Sequence, residues 1–266
     1  MTIVARLCYR LLLIILLFSY GLIIAAGIFP AITWLYSAEE ARIRHDALKT
    51  HWLKLFGAVL CLRTVVEGEP SERGALLVSN HISWLDILVI GRCLPACFVA
   101  KSDVSGWPVI GYLARQAGTI FIRRGDKRQI RATADAMAGL LQQNRHIIAF
   151  PEGTTTCGDE VLHFHPSLFQ PALLTQSAIQ PVALQYRGEA RALAPFIGND
   201  AFVPHLIRML TLEKIEARIS FLPVITVASD TRHVVGAEAR DRIVRKIALV
   251  RELEPLAIDK KPQTVV

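Results

Sequence analysis

The sequence predicts an α/β domain, a mixed and mainly parallel sheet flanked by helices, behind an N-terminal membrane-anchoring helical segment. Three observations carry this expectation. After residue 70, short apolar runs alternate with longer helix-like stretches, the pattern of strands joined by helical crossovers. Polar motifs follow directly on four of those runs, where the carboxyl ends of parallel strands open into a ligand crevice. Residues 11–38 hold no charged side chain, and roughly 20 helical residues suffice to cross a hydrocarbon core. The chain is therefore divided into a membrane segment with an amphipathic helix (1–65), the α/β domain (66–255) and a flexible tail (256–266).

Taken in order, Arg6 and Arg10 precede the apolar run as in a signal peptide, but the run is far longer than a secretory core of about 7–15 residues. Pro30 leaves a single span and a re-entrant pair both open. Residues 39–62 read as a helix in which Trp52, Leu53, Leu55 and Phe56 are either interfacial anchors or the buried face of a core helix. Arg42, Arg44, Lys49 and Lys54 follow the span and outnumber the arginines before it, which points to a cytoplasmic globular domain. Strands are expected at 74–79, 97–100, 118–122, 146–150, 179–186 and 217–225. Helices are expected at 84–92, 108–117, 127–144, 166–175, 200–212 and 237–252. Pro181 and Pro223, inside apolar runs, suggest edge strands or bulges.

Composition narrows the function. The formal charge of +7 suits an anionic membrane surface or an acidic ligand. The basic stretch "RRGDKRQIR" contains no aromatic residue for base stacking, so no nucleic-acid partner is expected. Five scattered cysteines read as reduced thiols. Cys157 with His163 and His165 lacks the further ligands of a recognisable zinc site, and no metal is expected.

The chemistry-bearing stretches lie at the strand ends. In "NHISWLD", His81 and Asp86 would stand roughly 140° apart on one helix and could not meet. They meet if His81 occupies the turn before a helix beginning near Ser83. Asp86 would then also be the third helical residue of a capping box with Ser83 as N-cap. A histidine held by a carboxylate at one nitrogen is a general base at the other. No G-x-S-x-G elbow or S-x-x-K motif supplies a protein nucleophile, so the proton donor is a substrate hydroxyl. In "FPEGTTT", Gly153 lets the backbone approach a ligand, Glu152 can accept from a polar headgroup, and Thr154 offers a hydroxyl. Arg123 and Arg124 end an apolar strand, where guanidinium groups can hold phosphate, with Lys101 as a further point charge.

Together these blocks resemble the glycerolipid acyltransferase family that includes 1-acylglycerol-3-phosphate acyltransferases. N-H-x-x-x-x-D is matched by Asn80, His81 and Asp86; G-x-I-F-I-x-R by Gly118 to Arg124; F-P-E-G-T by Phe150 to Thr154; and an apolar stretch around P-V by residues 179–186. The resemblance implies a general base at His81 oriented by Asp86. It implies that Arg124 with Lys101 holds an acceptor phosphate and that Glu152, Gly153 and Thr154 shape the acceptor site, beside which Arg123 is kept as a substrate-binding residue from its place at the strand end. It further implies an acyl thioester of coenzyme A or acyl carrier protein as co-substrate, with no cofactor. The expected setting is the cell inner membrane, where membrane lipid supplies a lysolipid acceptor. Lysophosphatidate stands first as that acceptor. Many members continue the third block as E-G-T-R-S, whereas Thr155 and Thr156 stand here, and a "GDEVLHF" continuation is shared with lyso-ornithine lipid acyltransferases. Lyso-ornithine lipid is therefore the second acceptor. A non-catalytic lipid-binding protein ranks below both.

Overall fold

The structure is a computed structural model that describes residues 2–123, 127–227 and 231–253. The tail expected at 256–266 and the acceptor residue Arg124 lie outside the described residues.

The chain begins with a long apolar helix. Helix α1 (Ile3–Ile23) runs through a π-helical turn (Ile24–Ile28) into α2 (Phe29–Leu35). Pro30 stands just beyond the π turn; it cannot donate to the helical ladder and its ring crowds the preceding turn, which a widened turn relieves. The continuous helix Ile3–Leu35 is long and apolar enough to cross a membrane, judged by length and composition. Its inner stripe is Arg6, Arg10, Ile14, Leu17 and Gly21, at three- and four-residue spacing. Its outer face exposes Ile3, Val4, Leu12, Ile15, Leu16 and Ile23.

Ser37 starts α3 (Ala38–Val59) with a capping box, in which its hydroxyl and the Glu40 carboxylate exchange bonds with each other's backbone N–H. Trp52, Leu53 and Phe56 pack into the core, and Trp52 Nε1 donates to the Leu17 carbonyl at 3.0 Å. Only Leu55 of the four proposed anchor residues is on the surface.

Seven strands follow: β1 (Leu62–Glu67), β2 (Leu76–Ser79), β3 (Cys97–Lys101), β4 (Ile120–Ile122), β5 (Ile147–Ala149), β6 (Ile179–Arg187) and β7 (Ile215–Phe221). Their order is β1-β7-β6-β2-β5-β3-β4, and every pair is parallel except β6 with β7. This is the mixed, mainly parallel sheet expected from the sequence. Strand β1, which begins where the expected helix 39–62 ends and is not among the expected strands, joins the N-terminal segment to the same sheet by pairing with β7.

The connecting helices are α4 (Leu85–Gly91), α5 (Ile110–Gln116), α6 (Lys127–Gln142), α7 (Gln170–Thr175), α8 (Ala190–Leu193), α9 (Phe202–Thr211) and α10 (Arg232–Leu253). Alternate strand residues face opposite ways. Leu77, Ile148, Leu184 and Ile219 pack beneath α1, α3, α4 and α9, while Leu76, Val78, Ile147 and Ile179 pack with α6, α7 and α10. The result is three layers with a core on each face of the sheet.

Pro181 meets one of its two expectations: its strand is not an edge, but the pairing slips by one residue beside it, from Val182 opposite Phe221 to Ile179 opposite Ile225, as at a bulge. It lies in β6, a central strand between β7 and β2. Its carbonyl accepts from Leu222 N at 2.9 Å on the β7 side, where its own donor is missing. The Gln180 side chain supplies that donor instead, Nε2 reaching the Leu222 carbonyl at 3.2 Å. Pro223 lies beyond β7, which ends at Phe221.

Arginines in the first turns of α1 tie it to the domain. Arg10 donates to the carbonyls of Leu210, Leu212 and Glu213, and Arg6 to Thr211 O and the Glu213 carboxylate. These are the unpaired carbonyls at and just beyond the end of α9, where cations are favoured.

Candidate active site

Strands β2, β5 and β3 are parallel, so their carboxyl ends open on one side of the sheet. There Asn80 continues β2 with its side chain: Nδ2 donates to Leu184 O and Oδ1 accepts Leu184 N, each at 2.9 Å. This side-chain rung on β6 fixes the residue before His81.

His81 Nδ1 lies 2.8 Å from Asp86 Oδ2. The same oxygen accepts the backbone N–H of Ile82 at 2.7 Å and of Ser83 at 3.0 Å. Tyr186 donates its hydroxyl to Oδ1 at 2.8 Å. A carboxylate surrounded by donors acts as the acceptor, so Nδ1 carries hydrogen and Nε2 is left with a lone pair. Asp86 is fully buried and the His81 side chain is 20% exposed. Burial first, and then the Asp86 charge and hydrogen bond, push the Tyr186 phenol well above its ordinary range, which keeps it a donor.

The helix-start reading is half corrected. Helix α4 begins at Leu85 after Trp84, and the Ser83 hydroxyl is buried with no hydrogen-bond partner among the described residues. Ser83 is therefore not an N-cap. Asp86 does reach back to the turn's N–H groups, and this fold of the chain is also what brings it under the imidazole.

The third block braces the same turn from β5. Phe150 stacks on His81 with ring centroids 4.0 Å apart and planes 16° from parallel. Glu152 is buried, and its carboxylate accepts His81 N at 2.7 Å and Leu162 N at 2.9 Å. Burial raises its carboxyl above the usual range, and the two backbone bonds oppose that shift. Glu152 is thus turned inward to hold the backbone of His81, correcting its expected place against a headgroup. Gly153 turns the chain at φ 71°, a conformation that side chains beyond glycine disfavour. Thr156 N donates to His81 O at 2.9 Å, and the Thr155 hydroxyl donates to Phe196 O. Phe196 N returns to Ile82 O at 2.9 Å, so the Phe196 backbone ties the first block to the third.

His81 lines a cavity of about 810 Å³. Gly153, Thr154 and Thr155 line it too, as do Phe18, Gly21 and Ile24 of the N-terminal helix, with Phe18 packed edge-on against Trp52 and Phe56. Lys101 also lines it, paired with Asp103 at 2.5 Å. The hydrogen bond from Lys101 lowers the Asp103 carboxyl below its usual range, with a smaller contribution from the charge of Arg123. Arg123 is exposed and does not line the cavity.

Sequence reasoning missed Tyr186 and Phe150 as partners of the pair. Tyr186 lies a hundred residues from Asp86, and only the β2–β6 register joins them. Cys157 is exposed, and no group of three metal-ligating side chains that could hold an ion occurs among the described residues.

Comparison with known proteins gives a concordant picture. A family model described as Acyltransferase matches residues 63–185. A lyso-ornithine lipid O-acyltransferase of Pseudomonas aeruginosa is 39% identical over 196 residues, covering 72% of this chain and 75% of the relative. A 1-acyl-sn-glycerol-3-phosphate acyltransferase of Neisseria meningitidis is 33% identical over 189 residues, covering 69% and 72%. The crystal structure of the LPA acyltransferase PlsC from Thermotoga maritima superposes with a TM-score of 0.68 at 20% identity, over 92% of this chain and 98% of that one.

Proposed function

The chain belongs to the acyltransferase family, and from that premise we propose that it is a membrane-associated lysolipid O-acyltransferase using an acyl thioester donor. The observation that carries this reading is the His81–Asp86 pair on the wall of a largely apolar cavity. His81 Nε2 takes the proton of the acceptor hydroxyl while Asp86 holds the Nδ1 hydrogen and steadies the resulting imidazolium. The alkoxide oxygen bonds to the thioester carbonyl carbon. Collapse of the tetrahedral adduct breaks the C–S bond, and the imidazolium returns its proton to the departing thiolate. The products are an ester and a free thiol, of coenzyme A or acyl carrier protein.

For the acceptor we favour lyso-ornithine lipid. The relative of that name is more identical to this chain than the phosphate-using one. Thr155, at the position where many members carry arginine, spends its hydroxyl on Phe196 O. Lysophosphatidate is the second reading, favoured by Lys101 on the cavity wall and Arg123 nearby. The apolar outer face of α1 supports residence in the inner membrane, with the site on the cytoplasmic side where acyl thioesters are available.

A competition assay tests the proposal. Purified full-length protein is given both lysolipids, with acyl-CoA or acyl carrier protein thioesters as donors. Preferential acylation of lyso-ornithine lipid is expected; consumption of lysophosphatidate alone reverses the two acceptors, and release of thiol without any diacylated product overturns the transferase reading.

A further inference from the structure

We propose that Lys101 and Asp103 form the subsite for a zwitterionic amino-acid headgroup on the acceptor, Lys101 taking its carboxylate and Asp103 its ammonium. This rests on the lyso-ornithine lipid reading above and gives that reading a physical basis.

The pair lies at the open end of the cavity. Both side chains line it, yet they are 58% and 63% exposed. Asp103 is the one carboxylate on the cavity wall among the described residues. The other lysine there, Lys49, is mostly buried and already holds Asp46 at 2.5 Å and Ala117 O at 3.2 Å. A phosphate arriving at this mouth meets a lysine already neutralised, with a carboxylate beside it. A zwitterion instead exchanges one ion pair for two, leaving no charge unmatched.

The spacing from the general base fits such a headgroup. Leu77, Ile148 and Phe98 share one row across β2, β5 and β3. His81 stands in the turn two residues beyond the end of β2, and Lys101 is the last residue of β3. The two strands are separated by β5, which puts their ends about 10 Å apart at ordinary strand spacing. In an N-(3-hydroxyacyl)ornithine, the hydroxyl lies roughly 7 Å from the carboxylate and roughly 11 Å from the side-chain nitrogen when extended, from ordinary bond lengths. His81, Lys101 and Asp103 line the same cavity, so a headgroup of this reach, with its hydroxyl at His81, shares that cavity with the pair.

The test compares acceptors in the full-length protein. Asp103→Asn is expected to raise the KM for lyso-ornithine lipid about tenfold, the loss of one charged contact, while the KM for lysophosphatidate stays or falls. Lys101→Gln is expected to raise the KM for both. An unchanged lyso-ornithine KM in Asp103→Asn, or equal rises for both acceptors, overturns the subsite while leaving the acceptor reading intact. A wild-type protein that acylates lysophosphatidate and ignores lyso-ornithine lipid overturns the acceptor reading itself, and the subsite with it.

Discussion

Tyr186 and His81 occupy different oxygens of one buried carboxylate: the phenol binds Asp86 Oδ1 and the imidazole Oδ2, each at 2.8 Å. The carboxylate is thereby prevented from rotating, and the imidazole plane is set by a residue on the neighbouring strand. Tyr186→Phe removes the donor and keeps the shape. It should lower unfolding free energy by about 1–3 kcal/mol, the cost of a buried charged acceptor losing a partner. It should reduce kcat several-fold with little change in acceptor KM, read by steady-state kinetics and urea denaturation.

Replacing His81 by alanine removes the proposed base and leaves Asp86 its backbone donors. Turnover should fall by about 10²–10⁴, with the melting temperature little changed because the ring is partly exposed. Near-wild-type turnover would sink the general-base role. Asp86→Asn should lose comparable activity and some stability as well, since three donors converge on one oxygen there.

Glu152 predicts a pH dependence of stability. Burial raises its folded pKa above the unfolded value, so the native state binds the proton more tightly and stability contributed by this group is greatest at low pH. That contribution is lost as pH rises from the ordinary carboxylate value of about 4.3 through the raised one. The wild-type stability minus that of Glu152→Gln should therefore decline with pH across this window and level off above it. A difference that rises with pH contradicts the assignment.

Arg10 is buried among the Leu210, Leu212 and Glu213 carbonyls. Arg10→Ala should cost about 2–4 kcal/mol, because charged hydrogen bonds are lost and carbonyls are stranded. Hydrogen exchange should quicken in the first turns of α1 and at the end of α9, with slower change in the sheet.

Much of the architecture is legible in local signals. Alternating strand and helix periods give the sheet, and the polar tails of β2, β3 and β5 do open on one side. His81 meeting Asp86 follows from turn geometry over five residues. What escapes is nonlocal. Strand β1 lacks turn signals separating it from α3 and is revealed only by pairing with β7. Glu152 looks exposed in a Pro-Glu-Gly turn, and its burial depends on Leu162 and His81 N–H groups converging on it. Pro181 signals an edge by the usual rule, and the neighbouring Gln180 side chain is what excuses it.

The N-terminal helix contributes Phe18, Gly21 and Ile24 to the cavity wall. A truncation made to obtain a soluble protein would thus remove part of the lining of the reaction chamber. What remains would keep the imidazole, with Asp86 still buried beneath it, in a chamber opened to water that competes with the lysolipid hydroxyl for the acyl group.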